Sequence, residues 1–393
     1  MNILFVNTFD VSPYLGGTER ITDTLCRQLR EQQKCRCYLA YFEKISDVYR
    51  KTAFDGKLYV ESRKNIEPLI GYILKNDINV VLLQGQLGLA KFVRKALGEN
   101  PKIRIIFAHH LYPGVEKDNV SFSNNILKRW NEKNMIVNIV RLISYPILKG
   151  KYLYTLPSKY RDTYLYSDKV VLLSSKLIKP FASFGGIKDT SKFCIIPNAL
   201  SYNIFFCPQN IQKKEKIVLI VSRLVENPKR ISLALKAWKV LMNDKSVNDW
   251  KLMIVGTGKD ENKYKRYVGK NDIKNISFEG NKNPFTYYQK ASIFLMTSSL
   301  ESWGLTITEA QQFGVVPIAF DSYPSLCEII ENNRNGIIVE NNSLHLYIDA
   351  IKDIMLNINR REHLANNSIE SVRRFSTDHV LEAWSSIFRE DNL

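Results

Sequence analysis

The chain has 393 residues, 45% hydrophobic and 24% charged, enough for two or three domains and too apolar for general disorder or a fibrous repeat. Its 56 Lys and Arg against 39 Asp and Glu leave a net charge of +17. The excess is lopsided: residues 1–210 hold 31 basic and 17 acidic side chains, net +14, whereas residues 211–393 hold 25 and 22, net +3. The first half is therefore expected to face something anionic, whether a phospholipid surface, a phosphorylated substrate or nucleic acid.

In chain order, the short apolar runs Ile3–Val6, Tyr38–Tyr41, Val80–Leu83, Ile103–Phe107, Val170–Leu173 and Phe193–Ile196 read as buried strands, too short and continuous for amphipathic helices. Helical stretches alternate with them. In Thr18–Gln32, Ile21, Leu25 and Leu29 mark one face, and Thr18 is the expected N-cap. Such alternation implies a parallel, doubly wound sheet. After a polar stretch ending near Glu215 the pattern restarts with Ile217–Val221, Lys251–Val255, Ile276–Phe278, Ile293–Met296 and Val315–Ala319. Two Rossmann-like domains result, with ligands expected beyond the carboxyl ends of their strands.

One segment breaks the alternation. Asn119–Tyr166 is long, aromatic and basic, with apolar Ile136–Ile143 beside its charges and Pro146 expected to end or kink any helix. It reads either as a surface that Lys128, Arg129, Lys133 and Arg141 dock on an anionic membrane or as a helical insertion packed on its own domain. The six cysteines form no C-x-x-C pair, Met1–Asn7 lacks a basic leader, and no run of 18 apolar residues occurs. The expectation is a cytoplasmic protein with reduced thiols.

The densest chemistry lies in Ser298–Ala310, after the strand Ile293–Met296. On one continuous helix Glu301 and Glu309 would stand ~12 Å apart along the axis. If Glu301 sits instead in a loop and the helix opens near Trp303 or Gly304, both can face one ligand. The free amides of Ser302–Leu305 would then form an anion site. Arg223 after the strand Ile217–Val221, and Lys229 after Pro228, are cations suited to a diphosphate. Gly256 and Gly258 follow another strand, a weak signal alone. His109 and His110 close the strand Ile103–Phe107; neighbours on a strand point opposite ways, so at most one of them faces the cleft, with His110 preferred.

Together these residues resemble the retaining GT-B glycosyltransferases of family 4. Glu301 and Glu309 with Ser302-Trp303-Gly304-Leu305 between them match that family's E-x7-E motif. Arg223 and Lys229 match its donor-phosphate pair, Gly16-Gly17 its glycine loop, and His109-His110 its functional histidine. Arg230 stands where a glycine is usual. The resemblance implies an α/β fold of GT-B architecture, two Rossmann-like doubly wound domains facing a central cleft. Their expected extents are 1–205 on the acceptor side and 206–375 for the nucleotide sugar, with a terminal helix at 376–393 packing back on the first.

It further implies that Glu309 holds the ribose, that Glu301 and a histidine serve the donor sugar, and that Arg223 and Lys229, with Ser302–Thr306, bind the diphosphate. Gly256, Gly16 and Gly17 allow close approach to the donor. No metal and no cofactor are expected, only a nucleotide diphosphate sugar, UDP-linked, as co-substrate. The acceptor is expected to be a lipid-linked glycan or polysaccharide at the inner face of the cell membrane, in capsule or lipopolysaccharide synthesis. Competing readings are a nucleotide-sugar epimerase on the same architecture and a basic nucleic-acid-binding protein; no helix-turn-helix, zinc or RNP-like motif supports the latter.

Overall fold

The computed structural model describes residues 1–11, 16–44, 53–63, 65–98, 100, 102–121 and 135–389. They divide into two compact units, Met1–Pro197 joined by the chain from Leu381, and Asn198–Val380. The first boundary falls at 197/198 rather than 205/206, because Leu200 N already donates to Phe375 O and Phe206 N to Gln312 O within the second unit. The last boundary falls at 380/381 rather than 375/376, inside the helix Thr377–Arg389.

The first unit holds seven parallel strands: β1 Asn2–Phe9, β2 Arg36–Glu43, β3 Gly56–Tyr59, β4 Val80–Gln84, β5 Arg104–His109, β6 Lys169–Leu172 and β7 Phe193–Ile195. They lie in the order β3-β2-β1-β4-β5-β6-β7. Ile3–Val6, Val80–Leu83 and Ile105–Phe107 are buried throughout, as parallel strands covered on both faces must be. The short β3 has no buried residue and no apolar run, so periodicity does not reveal it.

The first helix, Gly17–Gln33, is capped at Gly16 and not at Thr18. Its cap makes no side-chain hydrogen bond, and the acidic Glu19 stands in the first turn. The segment after β5 also departs from expectation. A single helix runs from Met135 to Tyr166 with Pro146 and Pro157 inside it. Each proline removes one amide donor and crowds the carbonyl four residues back, a local loss within 32 residues of helix. Lys128, Arg129 and Lys133 lie outside the described residues.

The second unit holds six parallel strands: β8 Ile217–Val221, β9 Lys251–Val255, β10 Ile276–Gly280, β11 Ile293–Met296, β12 Val316–Phe320 and β13 Ile337–Val339, in the order β10-β9-β8-β11-β12-β13. Trp238, Trp250, Leu252, Ile254, Ile318 and Tyr347 anchor its core. In each sheet the chain reverses winding beside the first strand, between β1 and β4 and between β8 and β11. At such a switch point the loops part and leave a crevice. Both units are α/β and doubly wound.

Candidate active site

In the second unit, the two switch-point strands deliver the charged candidates. The loop after β8 carries Arg223, the short helix Glu226–Lys229 that follows ends on Lys229, and the loop after β11 carries Glu301. The loops are stitched together: Ser299 N donates to Pro228 O at 2.8 Å, and Thr297 Oγ1 to Lys229 O at 2.8 Å. Lys229 Nζ then forms an ion pair with Glu301 Oε1, both side chains being less than one-fifth exposed. Ser298 Oγ donates to the same oxygen at 2.7 Å. Among the described residues Glu301 Oε2 accepts no hydrogen bond. One carboxylate oxygen thus fixes the group and the other is left for a ligand.

Arg223 is exposed, and its guanidinium has no hydrogen bond or ion pair among the described residues. The loop after β9 backs it closely: a Cβ on Gly256, at φ +130°, would stand 1.9 Å from Ser222 O, and one on Gly258 2.4 Å from Leu224 O. Leu224 N donates to Thr257 O at 2.9 Å, so the two loops run flush. Only glycine allows that approach.

Gly304, at φ +106°, precedes the helix Leu305–Gln312, and Glu301 therefore belongs to the loop. A Cβ at 304 would meet Tyr323 Oη at 2.7 Å. Burial, with the Glu301 charge nearby, pushes the Tyr323 phenol well above its ordinary range. The first amides of the helix, at Leu305 and Thr306, have no intrahelical acceptor, and they carry the positive end of the helix dipole. Ser302 lies just before them, its carbonyl accepting from Ser325 Oγ at 2.7 Å.

Three expected site residues are placed differently. The Trp303 ring is buried edge-on against Phe375, centroids 5.1 Å apart, so only its backbone borders the loop. Glu309 is wholly buried; Oε1 accepts from Ser201 Oγ at 2.5 Å and Oε2 from Tyr288 Oη at 2.9 Å. Hydroxyl donors compensate a carboxylate removed from water. His109 is 1% exposed among Phe107, Tyr160 and Phe181. Burial pushes it down to about 3, and it belongs to the core of its unit.

His110 takes the opposite direction. It is half-buried at the carboxyl end of the first sheet, with Nε2 against Gln84 Oε1 at the end of β4, and burial pushes it down to about 4. Gly16 and Gly17 are exposed at the start of the first helix, at the same end of that sheet. The loop Gly85–Gly88 and the helix Met135–Tyr166 line an open pocket of about 420 Å³, with Gln86, Lys91, Tyr152 and Lys159 among its walls. Arg141 lies half-buried on the same helix.

Arg230 is the residue whose role sequence reasoning missed. At φ +49° it occupies the left-handed conformation that favours glycine. Its guanidinium donates from Nε to Thr297 O at 2.7 Å and from Nη2 to Ser298 O at 2.9 Å. The remaining donors reach Asn341 Oδ1 at 3.0 Å and Asn342 Oδ1 at 2.6 Å. All five N–H groups are engaged, and they hold the loop that carries Glu301. The arginine in a glycine position was the one available signal; its partners lie more than 60 residues away. Ser201 and Tyr288 gave none.

Two cations, a half-engaged carboxylate and free helix amides at one sheet end suit an anionic group with hydroxyls beside it. Residues 203–371 match the family described as glycosyl transferases group 1. An uncharacterized glycosyltransferase of Haemophilus influenzae is 31% identical over 44% of this chain and 49% of its own length. A Campylobacter jejuni enzyme, named as an α-1,4-N-acetyl-D-galactosaminyltransferase acting on a diphospho-undecaprenol-linked glycan, is 26% identical over 45% of this chain and 49% of its own. The chain thus spans about half the length of these curated relatives. Anabaena HepE in complex with UDP shares the fold, with a TM-score of 0.72 at 14% identity, covering 98% of this chain and 99% of that one. Residues 203–371 thus resemble the glycosyl transferases group 1 family, and the chain shares the GT-B fold of that solved structure.

Proposed function

We propose that the protein transfers a sugar from a nucleotide diphosphate sugar, UDP-linked, to a glycan acceptor with retention at the anomeric carbon, in the manner of family 4. The observation that carries this reading is the Lys229–Glu301 pair with exposed Arg223 on the adjoining loop. Arg223, Lys229 and the amides of Leu305 and Thr306 stabilise the diphosphate as the glycosidic bond breaks, the step at which its negative charge grows. Glu301 Oε2 takes a donor-sugar hydroxyl. Glu309 takes the ribose hydroxyls when they displace Ser201 Oγ from Oε1. His110, neutral at physiological pH, hydrogen-bonds the donor sugar or the acceptor, and Gly16 and Gly17 let the backbone approach.

Protein cations fill the part a divalent ion plays elsewhere, so the reaction is read as metal-independent. The +14 of residues 1–210 favours an anionic, lipid-linked acceptor at the inner face of the membrane, in surface polysaccharide synthesis. A screen of nucleotide sugars, with UDP release and mass spectrometry of the product, tests the reading. Arg223→Ala should weaken UDP binding tenfold or more, since a hydrogen bond to a charged group is worth ~1.5–3 kcal/mol. EDTA should leave turnover intact. Wild-type UDP affinity in Arg223→Ala, or an EDTA loss restored by Mg²⁺, would overturn the corresponding assignment.

A further inference from the structure

The helix Met135–Tyr166 has two unlike halves. Its carboxyl half is anchored, with Leu156, Tyr160, Thr163 and Tyr164 buried in the first unit. Its amino half turns large aliphatic side chains outward: Ile136 is 76% exposed, Val140 59%, Ile143 71% and Ile147 72%. The spacings of four, three and four residues put these on one helical face, and Tyr154, 87% exposed, continues the line. From Ile136 to Tyr154 the stripe runs ~27 Å. Soluble surfaces scatter such residues singly; a row of them marks something that covers it.

The charge around the stripe says what. From Met135 to Arg161 the chain holds five basic residues, Arg141, Lys149, Lys151, Lys159 and Arg161, and no acidic one. A second copy of the helix would bring like charges together, with no carboxylates to pair them. An anionic bilayer offers hydrocarbon to the isoleucines and phosphates to the lysines. No helix among the described residues is long and apolar enough to cross a membrane. We infer that the amino half of this helix lies in the headgroup layer of an anionic membrane, its Ile136–Ile147 face inserted and its basic flanks on lipid phosphates. The inference deepens the lipid-linked acceptor reading and rests on it for its biological sense. The same helix lines the pocket that contains Lys91 and Lys159, so docking would bring that pocket toward the headgroups.

The test is co-sedimentation of the full chain with vesicles of phosphatidylglycerol and phosphatidylethanolamine. Wild type should pellet with these vesicles at 0.15 M salt, and poorly with phosphatidylcholine alone. Ile143→Ser/Ile147→Ser should lower the partition at least tenfold, with an unchanged melting temperature because both side chains are exposed. Ile147→Trp should show a blue-shifted emission on adding vesicles. Pelleting that is indifferent to the double substitution, or an Ile147→Trp emission that does not move, would overturn the inference. So would a stable dimer that the substitutions dissociate, which would make the face a self-association surface. UDP binding, measured on the same proteins, separates the two readings: retained UDP affinity with no vesicle binding sinks only this inference, whereas vesicle binding without UDP affinity sinks the donor-site reading.

Discussion

The strand-end loops of the second unit and the long helix of the first expose opposite chemistry, and each teaches how its region meets a ligand. Around Lys229 and Glu301 nearly every polar group is engaged: Arg230 spends five donors, Ser298 and Lys229 share one carboxylate oxygen, and glycines let three loops stack. What is left over is small and specific, one guanidinium, one carboxylate oxygen and a pair of amides. A site of this kind is organised before its ligand arrives, and it suits a compact charged molecule. Along Met135–Tyr154 the reverse holds. The surplus there is aliphatic area, which is not directional and suits an extended partner.

The largest expected effect breaks the organised side. Glu301→Ala should reduce kcat by a factor on the order of 10²–10³, the range for loss of one aligned electrostatic group, while UDP affinity changes little because Arg223 remains. Steady-state kinetics with the identified donor would show it. Wild-type kcat in a folded Glu301→Ala protein would mean that the half-engaged carboxylate is merely an anchor for Lys229.

Next in size, Gly256→Ala should lower stability by about 4 kcal/mol, combining a backbone conformation hostile to a side chain with a clash against the neighbouring loop. The clash is with a main-chain oxygen, Ser222 O, 1.9 Å from the new Cβ, so no rotamer change relieves it. A melting temperature within two degrees of wild type would show that the loops are not stacked as described.

How much of this was legible in the sequence follows from how local each feature is. The strand runs were legible because a parallel strand buried on both faces is a continuous apolar run; β3, short and half-exposed, left no such trace. Lys229, Glu301 and Gly304 stood out by type and spacing. The clamp of Arg230 on Asn341 and Asn342 was not legible, since it joins residues over 110 positions apart. Burial of Glu309 depends on Ser201, 108 residues earlier. The helix does not end at Pro146, because a proline rule describes local cost, whereas the helix is held by packing of its distant carboxyl half.

A smaller effect comes from His109, which sharpens the contrast from within the first unit. Its folded value of about 3 lies below the ordinary 6.5, so the unfolded chain takes up a proton first. Stability is complete above pH ~6.5 and falls as pH drops below it. By pH 4 this histidine alone accounts for about 3 kcal/mol. His109→Phe should flatten the decline of melting temperature between pH 6.5 and 4 and leave kcat at pH 7 unchanged. An unaltered decline, or a loss of activity, would return His109 to the candidate site.

The smallest effect concerns a glycine on the other side of the comparison. Gly150 lies within the helix Met135–Tyr166, is exposed, and a Cβ there would have nothing within 4 Å. Its backbone is not in the left-handed region, so alanine fits without strain. Gly150→Ala should therefore stabilise the protein, by about 0.5–1 kcal/mol, through the chain entropy that alanine does not lose. The same substitution at Gly256 is expected to have the opposite sign, because there the glycine is required by its neighbours and here it is not. With Pro146 four residues before it and Pro157 seven after, Gly150 also stands where the helix has least intrinsic support. If Gly150→Ala lowers the melting temperature, the helix bends at this point. The apolar line from Ile136 to Tyr154 would then be two short patches and not one face.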